Sequence, residues 1–180
     1  ERGRRAFGIG REIWIERDDF MQAPGKGYFR LFPGNRVRLK YGHVIECSGC
    51  TLDADGRVAE VQALLVPDTK SGTPGADAVK VKGVITWVGA HDGVPAEVRL
   101  YERLFSVEQP DAGGRDFKAD LNPRSLRVVQ ACVEPSLATA QKEQRFQLER
   151  HGYFVADRVD HDAGRLVFNR TATLKESFAR

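Results

Sequence analysis

Apolar residues fall along this chain in short runs that alternate with polar ones, the two-residue period of half-buried strands. In Arg36-Val37-Arg38-Leu39-Lys40 the pattern puts Val37 and Leu39 on one face and three cations on the other. Across Glu97 to Phe105 it predicts Val98, Leu100 and Leu104 inward, with Glu97, Arg99, Tyr101 and Arg103 outward. Gln144 to Leu148 turns Phe146 and Leu148 in and Arg145 and Gln147 out, and Leu166 and Phe168 alternate with Arg165, Val167 and Asn169. Lys80 to Val88 begins alternating and ends apolar, as a strand entering a core does. Turn formers separate the runs: Pro33-Gly34-Asn35, Asp53-Ala54-Asp55-Gly56, Pro74-Gly75, His91-Asp92-Gly93 and Asp162-Ala163-Gly164. Asp55-Gly56 predicts a hairpin between Thr51-Leu52 and Val58 to Val66. Helix is scarce: a turn or two over Glu16 to Met21, and a short helix within Pro135 to Gln144. Asp68 to Asp77 and Glu108 to Arg115 read as exposed loops. Many short strands with close turn signals predict an all-β chain of antiparallel barrels or sandwiches.

Composition changes this picture little. The 180 residues are 41% hydrophobic and 29% charged, with a net charge of +3, which fits one globular domain or two small ones. No run approaches the ~18 apolar residues of a membrane helix. The basic Glu1-Arg2-Gly3-Arg4-Arg5 is not followed by the apolar core of a signal peptide. Three cysteines are too few for a disulfide framework and suit a reduced compartment. Charge is uneven: residues 1–40 carry ten Lys/Arg against five Asp/Glu, an excess that permits a polyanionic partner.

Candidate chemistry is sparse. Cys47-x-x-Cys50 lacks the second pair of ligands a structural zinc site needs. The four histidines form no metal motif, and no nucleophile elbow, P-loop or dinucleotide fingerprint is present. Asn169-Arg170-Thr171 is a glycosylation sequon by coincidence. What recurs is cations on outward strand faces near aromatics: Arg17 after Trp14, Arg36, Arg38 and Lys40 before Tyr41, Lys80 and Lys82 before Trp87, Arg99 and Arg103 around Tyr101, and Gln147, Glu149 and Arg150 before Tyr153. Proteins that hold single-stranded nucleic acid combine cations for phosphates with planar groups for bases; the same cations also keep exposed strands soluble.

Six segments in order then resemble one family. These are Ile13 to Phe20 (IWIERDDF), Val81 to Ile85, Glu97 to Phe105, Glu134 to Leu137, Phe146 to Arg150 (FQLER) and Val167 to Thr171. They are similar to the C-terminal anticodon-binding region of bacterial-type glutaminyl-tRNA synthetases, over about residues 11 to 178. The resemblance implies two antiparallel β-barrels with a few short helices, gripping the tRNA(Gln) anticodon stem-loop. Residues 1–10 would link to a catalytic domain, 11–108 form the first barrel region and 109–180 the second, with strands shared if 67–120 is an insertion between the two ends. It implies RNA contacts by Arg17, Lys80, Lys82, Arg99 and Arg103. Gln147, Glu149 and Arg150 would read a base, since a pure phosphate site would exclude Glu149. Val79 stands where relatives often carry a cation.

The resemblance further implies that glutamine activation, with ATP and Mg, belongs to a catalytic domain in the parent ligase. This chain carries neither the His-x-Gly-His nor the Met-Ser-Lys signature of that domain, and would itself hold no cofactor or metal. The parent would be cytoplasmic, monomeric and free of membranes. A glutamyl-type ligase sharing these barrels, or a stand-alone ribosomal 5S-RNA-binding barrel protein, are the alternatives.

Overall fold

The computed structural model describes residues 6–174; the basic stretch at residues 1–5 lies outside them. The described chain is all-β and divides into two compact units, residues 8–91 and residues 92–174 together with 6–7.

The first of these, residues 8–91, contains β1 (Ile13–Ile15), β2 (Arg36–Leu39), β3 (Val44–Leu52), β4 (Val58–Leu65), β5 (Gly83–Ile85) and β6 (Trp87–Gly89). Four strands form a sheet in the order β4-β3-β2-β5, and β1 pairs with β6. The predicted β3–β4 hairpin forms. Its turn is built by Asp53, whose Oδ1 accepts from the backbone N–H groups of Asp55 and Arg57 at 2.9 and 2.8 Å, with Gly56 at φ +75°. Val37 and Leu39 are fully buried as expected. They pack with Phe20, Leu31, Ile45, Cys47 and Ile85, each such side chain contributing about 1.5–3 kcal/mol by leaving water. Burial also raises the Cys47 thiol pKa.

In the other unit, β7 (Val94–Tyr101), β8 (Leu126–Val133), β9 (Arg145–Leu148), β10 (Gly152–Ala156) and β11 (Leu166–Ala172) form one sheet in the order β8-β7-β11-β10-β9. Its core holds Val98, Val133, Leu137, Phe154, Leu166 and Phe168. His161 is buried inside it. The backbone N–H of Val167 donates to its Nδ1 at 3.1 Å, which leaves Nε2 to donate to the Ala140 carbonyl at 3.0 Å.

The all-β expectation holds; the strands form three sheets, none of them closed into a ring by its ladders. Several local expectations need correction. Two pairings, β2–β5 and β7–β11, are parallel, because each joins strands separated by a long excursion of chain instead of a tight turn. Lys80 to Val88 is no single strand; it breaks at Thr86 into β5 and β6, which join different sheets. β7 stops at Tyr101, and Leu104 is exposed rather than inward. Val167 is buried along with Leu166 and Phe168, so β11 is covered on both faces at this point. The helix expected within Pro135 to Gln144 is only a 3₁₀ segment, Pro135–Thr139, and Arg17–Asp19 is another. The loop at 68–77 is pinned, with Thr69 and Ala76 buried.

Candidate nucleic-acid interface

Alternation places a side chain on a face, but what it meets there depends on strands far away in sequence. In the unit at 8–91, Arg17 is exposed within its 3₁₀ turn and donates to the carbonyl of Phe20 at 3.2 Å. Arg38, on the face of β2 that alternation gives to cations, is turned inward to the chain itself. Its guanidinium donates to the carbonyls of Thr69 and Ala76 at 2.6 and 2.7 Å, which pins the 68–77 loop. Lys40 stands over the Tyr41 ring at 5.0 Å.

Lys80 and Lys82 are exposed and brought together on an open cavity of about 550 Å³, along with Phe29, Arg36, Glu46 and Gly83. Gly83 makes the arrangement possible. A Cβ there would lie 1.9 Å from the carbonyl oxygen of Phe29, so only glycine lets that backbone lie against β5. Arg36 donates from Nε to Glu46 Oε2 at 2.6 Å, and Lys82 lies 5.4 Å from the centre of the Phe29 ring.

In the unit from residue 92, the motif Gln147-x-Glu149-Arg150 forms the end of β9 and the turn into β10. Arg150 takes φ +72°, and the His151 N–H closes the turn on the Leu148 carbonyl at 3.0 Å. Gly152 follows at φ +133°, where a Cβ would lie 2.3 Å from the Ala172 carbonyl oxygen. Gln147 is exposed and pairs in register with Tyr153, so amide and phenol share one face of the sheet. Glu149 is half-buried and Arg150 exposed. One turn thus offers amide, carboxylate and guanidinium groups: donors and acceptors together. Arg103 is exposed beyond the end of β7.

Arg99 is placed otherwise. Its guanidinium donates to Glu97 at 2.8 Å, to Asp160 at 2.6 Å and to Asp157 at 3.3 Å, and its side chain is only 17% exposed. Glu97 also accepts from Arg165 at 2.8 Å. Those bonds, Arg165 first and Arg99 second, lower the Glu97 pKa, while bonds to Asp160 and then Glu97 raise that of Arg99. Asp157 is depressed to about 2, chiefly by the Asp160 backbone N–H and then by the Asn169 amide. Two guanidinium groups here face three carboxylates, so this cluster presents no surplus positive charge. The sequon amide of Asn169 belongs to the same network, donating to Asp157 at 2.6 Å.

Periodicity gave no sign of Phe29, Arg36 and Glu46 as neighbours of Lys80 and Lys82; the one local signal is the glycine within the apolar run at Gly83. Among the described residues no group of three or more His, Cys, Asp or Glu side chains is placed to hold a metal ion. Among the described residues no helix is long and apolar enough to cross a membrane.

An all-β chain that sets exposed cations, aromatic rings and a mixed donor–acceptor turn on its strands has the construction of a single-stranded nucleic-acid binder. Residues 1–66 and 84–157 match, in two successive parts, the family described as tRNA synthetases class I (E and Q), anti-codon binding domain, and the chain belongs to that family. Over its whole length it is 62% identical to the glutamine–tRNA ligases of Ralstonia nicotianae and of Cupriavidus metallidurans. Over 179 residues it is 57% identical to that of Bordetella avium. It spans about a third of the length of these curated relatives, 31% for the first two and 30% for the third.

Proposed function

We propose that this chain is the tRNA(Gln) anticodon recognition module of a glutamine–tRNA ligase. The observation that carries the proposal is the Gln147-x-Glu149-Arg150 turn, in a chain 62% identical throughout to curated ligases of that type. Bases splayed out of an anticodon loop expose their Watson–Crick edges. A turn bearing an amide, a carboxylate and a guanidinium answers donors and acceptors on such an edge. Arg17, Lys80, Lys82 and Arg103 are exposed cations suited to phosphates or bases. Arg99, held by three carboxylates, is a positioning residue that ties β7 to the loop at 157–160.

The ligase as a whole would join glutamine to tRNA(Gln) with ATP and Mg, as a cytoplasmic monomer. This chain matches about a third of the length of such ligases, 31% for that of Ralstonia nicotianae, and we assign that chemistry to the rest of the ligase.

The test is fluorescence anisotropy with a tRNA(Gln) anticodon stem-loop beside one with its middle base changed. The cognate loop should bind more tightly, and equal binding of the two refutes the reading. Arg150→Ala should cost about 1–3 kcal/mol and relax discrimination. Lys80→Ala should instead reduce the salt slope by about 0.7 while leaving discrimination intact.

A further inference from the structure

β11 does not run evenly beside β10. Phe154 faces Arg170, but the neighbouring residue of β10, Tyr153, faces Ala172. β11 thus spends two residues where β10 spends one, and Thr171 is the extra one. Such a bulge bends its strand, sharpens the local twist and re-aims the side chains beside it. It lies at the turn end of β10. Tyr153 pairs with Gln147 on β9 and Gly152 with Leu148, and Glu149 and Arg150 stand between Leu148 and Gly152.

Two contacts hold the bulge against this turn. The Thr171 hydroxyl donates to the Tyr153 carbonyl at 3.1 Å. One residue on, the Ala172 carbonyl oxygen lies over Gly152, 2.3 Å from where a Cβ would be, an approach that only glycine permits. Arg150 itself holds φ +72°, a left-handed backbone that costs an arginine energy and persists only where its surroundings fix it.

Thr171 is exposed, and it is not part of the buried core of its unit, to which β11 contributes Leu166 and Phe168. Valine has the same branched shape and forms strands as readily. Packing and strand pairing therefore do not require the hydroxyl, whereas the bond to Tyr153 does.

We infer that Thr171 is a positioning residue for the proposed anticodon-reading turn. Its hydroxyl fixes the Tyr153 carbonyl against the bulge. With Gly152 it sets the direction in which Gln147, Glu149 and Arg150 face an unpaired base. The inference rests on the anticodon reading above and deepens it with a residue that acts through the turn.

The experiment measures binding of the tRNA(Gln) anticodon stem-loop, and of the loop with its middle base changed, by fluorescence anisotropy. Thr171→Val removes the hydroxyl and keeps the shape; Thr171→Ser keeps the hydroxyl. Thr171→Val should lower discrimination about fivefold, the low end of what losing one base contact costs, with melting temperature and salt slope unchanged. Thr171→Ser should discriminate as wild type does. In an Arg150→Ala background Thr171→Val should add little further loss, since residues that act through one another are not additive. Gly152→Ala, which drives the Ala172 carbonyl away, should relax discrimination in the same direction. Full discrimination by Thr171→Val overturns the inference, as does an equal loss in Thr171→Ser or an undiminished loss in the Arg150→Ala background. A folded Gly152→Ala chain with wild-type discrimination overturns it too. Wild type that binds both loops equally overturns the anticodon reading and the positioning role together. If wild type discriminates and Arg150→Ala relaxes it while Thr171→Val does not, the anticodon reading stands and the positioning role alone falls.

Discussion

Replacing Asp157 with asparagine tests the network around Arg99. The carboxylate makes two kinds of bond. Oδ1 accepts from the backbone N–H groups of Val159 and Asp160, each at 2.8 Å, and an amide oxygen can keep those. Oδ2 accepts from Asn169 Nδ2 at 2.6 Å and Arg99 Nη1 at 3.3 Å, and there asparagine would present an N–H₂ group to two donors. A carboxyl lowered from 3.8 to about 2 on folding contributes about 2 kcal/mol at pH 7. Because the folded value is the lower one, that stability is complete above the unfolded value and is lost as pH falls through the folded one. About half remains at pH 3. Asp157→Asn should therefore unfold about 2–3 kcal/mol more easily at pH 7, a shift of roughly 1 M in the urea midpoint. The gap to wild type should narrow by about 1 kcal/mol at pH 3. Urea unfolding followed by far-UV circular dichroism at both pH values reads this directly. A gap below about 0.5 kcal/mol at pH 7, the scatter of ordinary surface substitutions, or one that does not change between pH 7 and pH 3, would refute the argument.

Other variants probe the remaining joints. Gly83→Ala forces the Phe29 carbonyl away from β5 and should cost about 3 kcal/mol, read from Trp14 and Trp87 fluorescence during urea unfolding; a neutral result would mean that the backbone contact is not held. Arg38→Met removes the donor to Thr69 and Ala76, so trypsin should cut at Lys70 several-fold faster with the rest of the unit intact. His161→Phe leaves the Ala140 carbonyl and the Val167 N–H unpaired in the core and should cost about 2–4 kcal/mol in the same circular dichroism assay.

What was legible in the sequence was local. The β3–β4 hairpin was readable because Asp53 and Gly56 make their turn among themselves. The exposure of Gln147 and the half-burial of Phe146 followed from a two-residue period in a strand with one wet face. Alternation failed at β11, where Val167 on one face is buried as well as Leu166 and Phe168 on the other, and at Leu104, where β7 had already ended. The cations show the limit most clearly. Sequence placed Arg38 and Arg99 on outward faces, but not the carbonyls 31 and 38 residues from Arg38 or the carboxylates 58 and 61 residues from Arg99. The cavity drew its walls from Phe29, Arg36, Glu46 and Lys80 to Gly83; the antiparallel β2–β3 pairing sets Glu46 beside Arg36, and the parallel β2–β5 pairing brings Gly83 beside Val37. The six-segment family resemblance supplied what periodicity could not, the identity of the Gln147-x-Glu149-Arg150 motif.

The place of β11 has a consequence for how the chain is made. In the unit from residue 92, β7 with β8 and β9 with β10 are neighbours in sequence and pair antiparallel. Each can form as it leaves the ribosome. The two pairs share no ladder until Leu166–Ala172 inserts between β7 and β10. This half of the sheet is therefore completed only when residues near 172 are available, whereas all six strands of the 8–91 unit have been made by Gly89. A ribosome stalled between those points would hold one finished unit and two loose hairpins with unpaired edges, the state in which the nascent chain is most open to wrong strand partners.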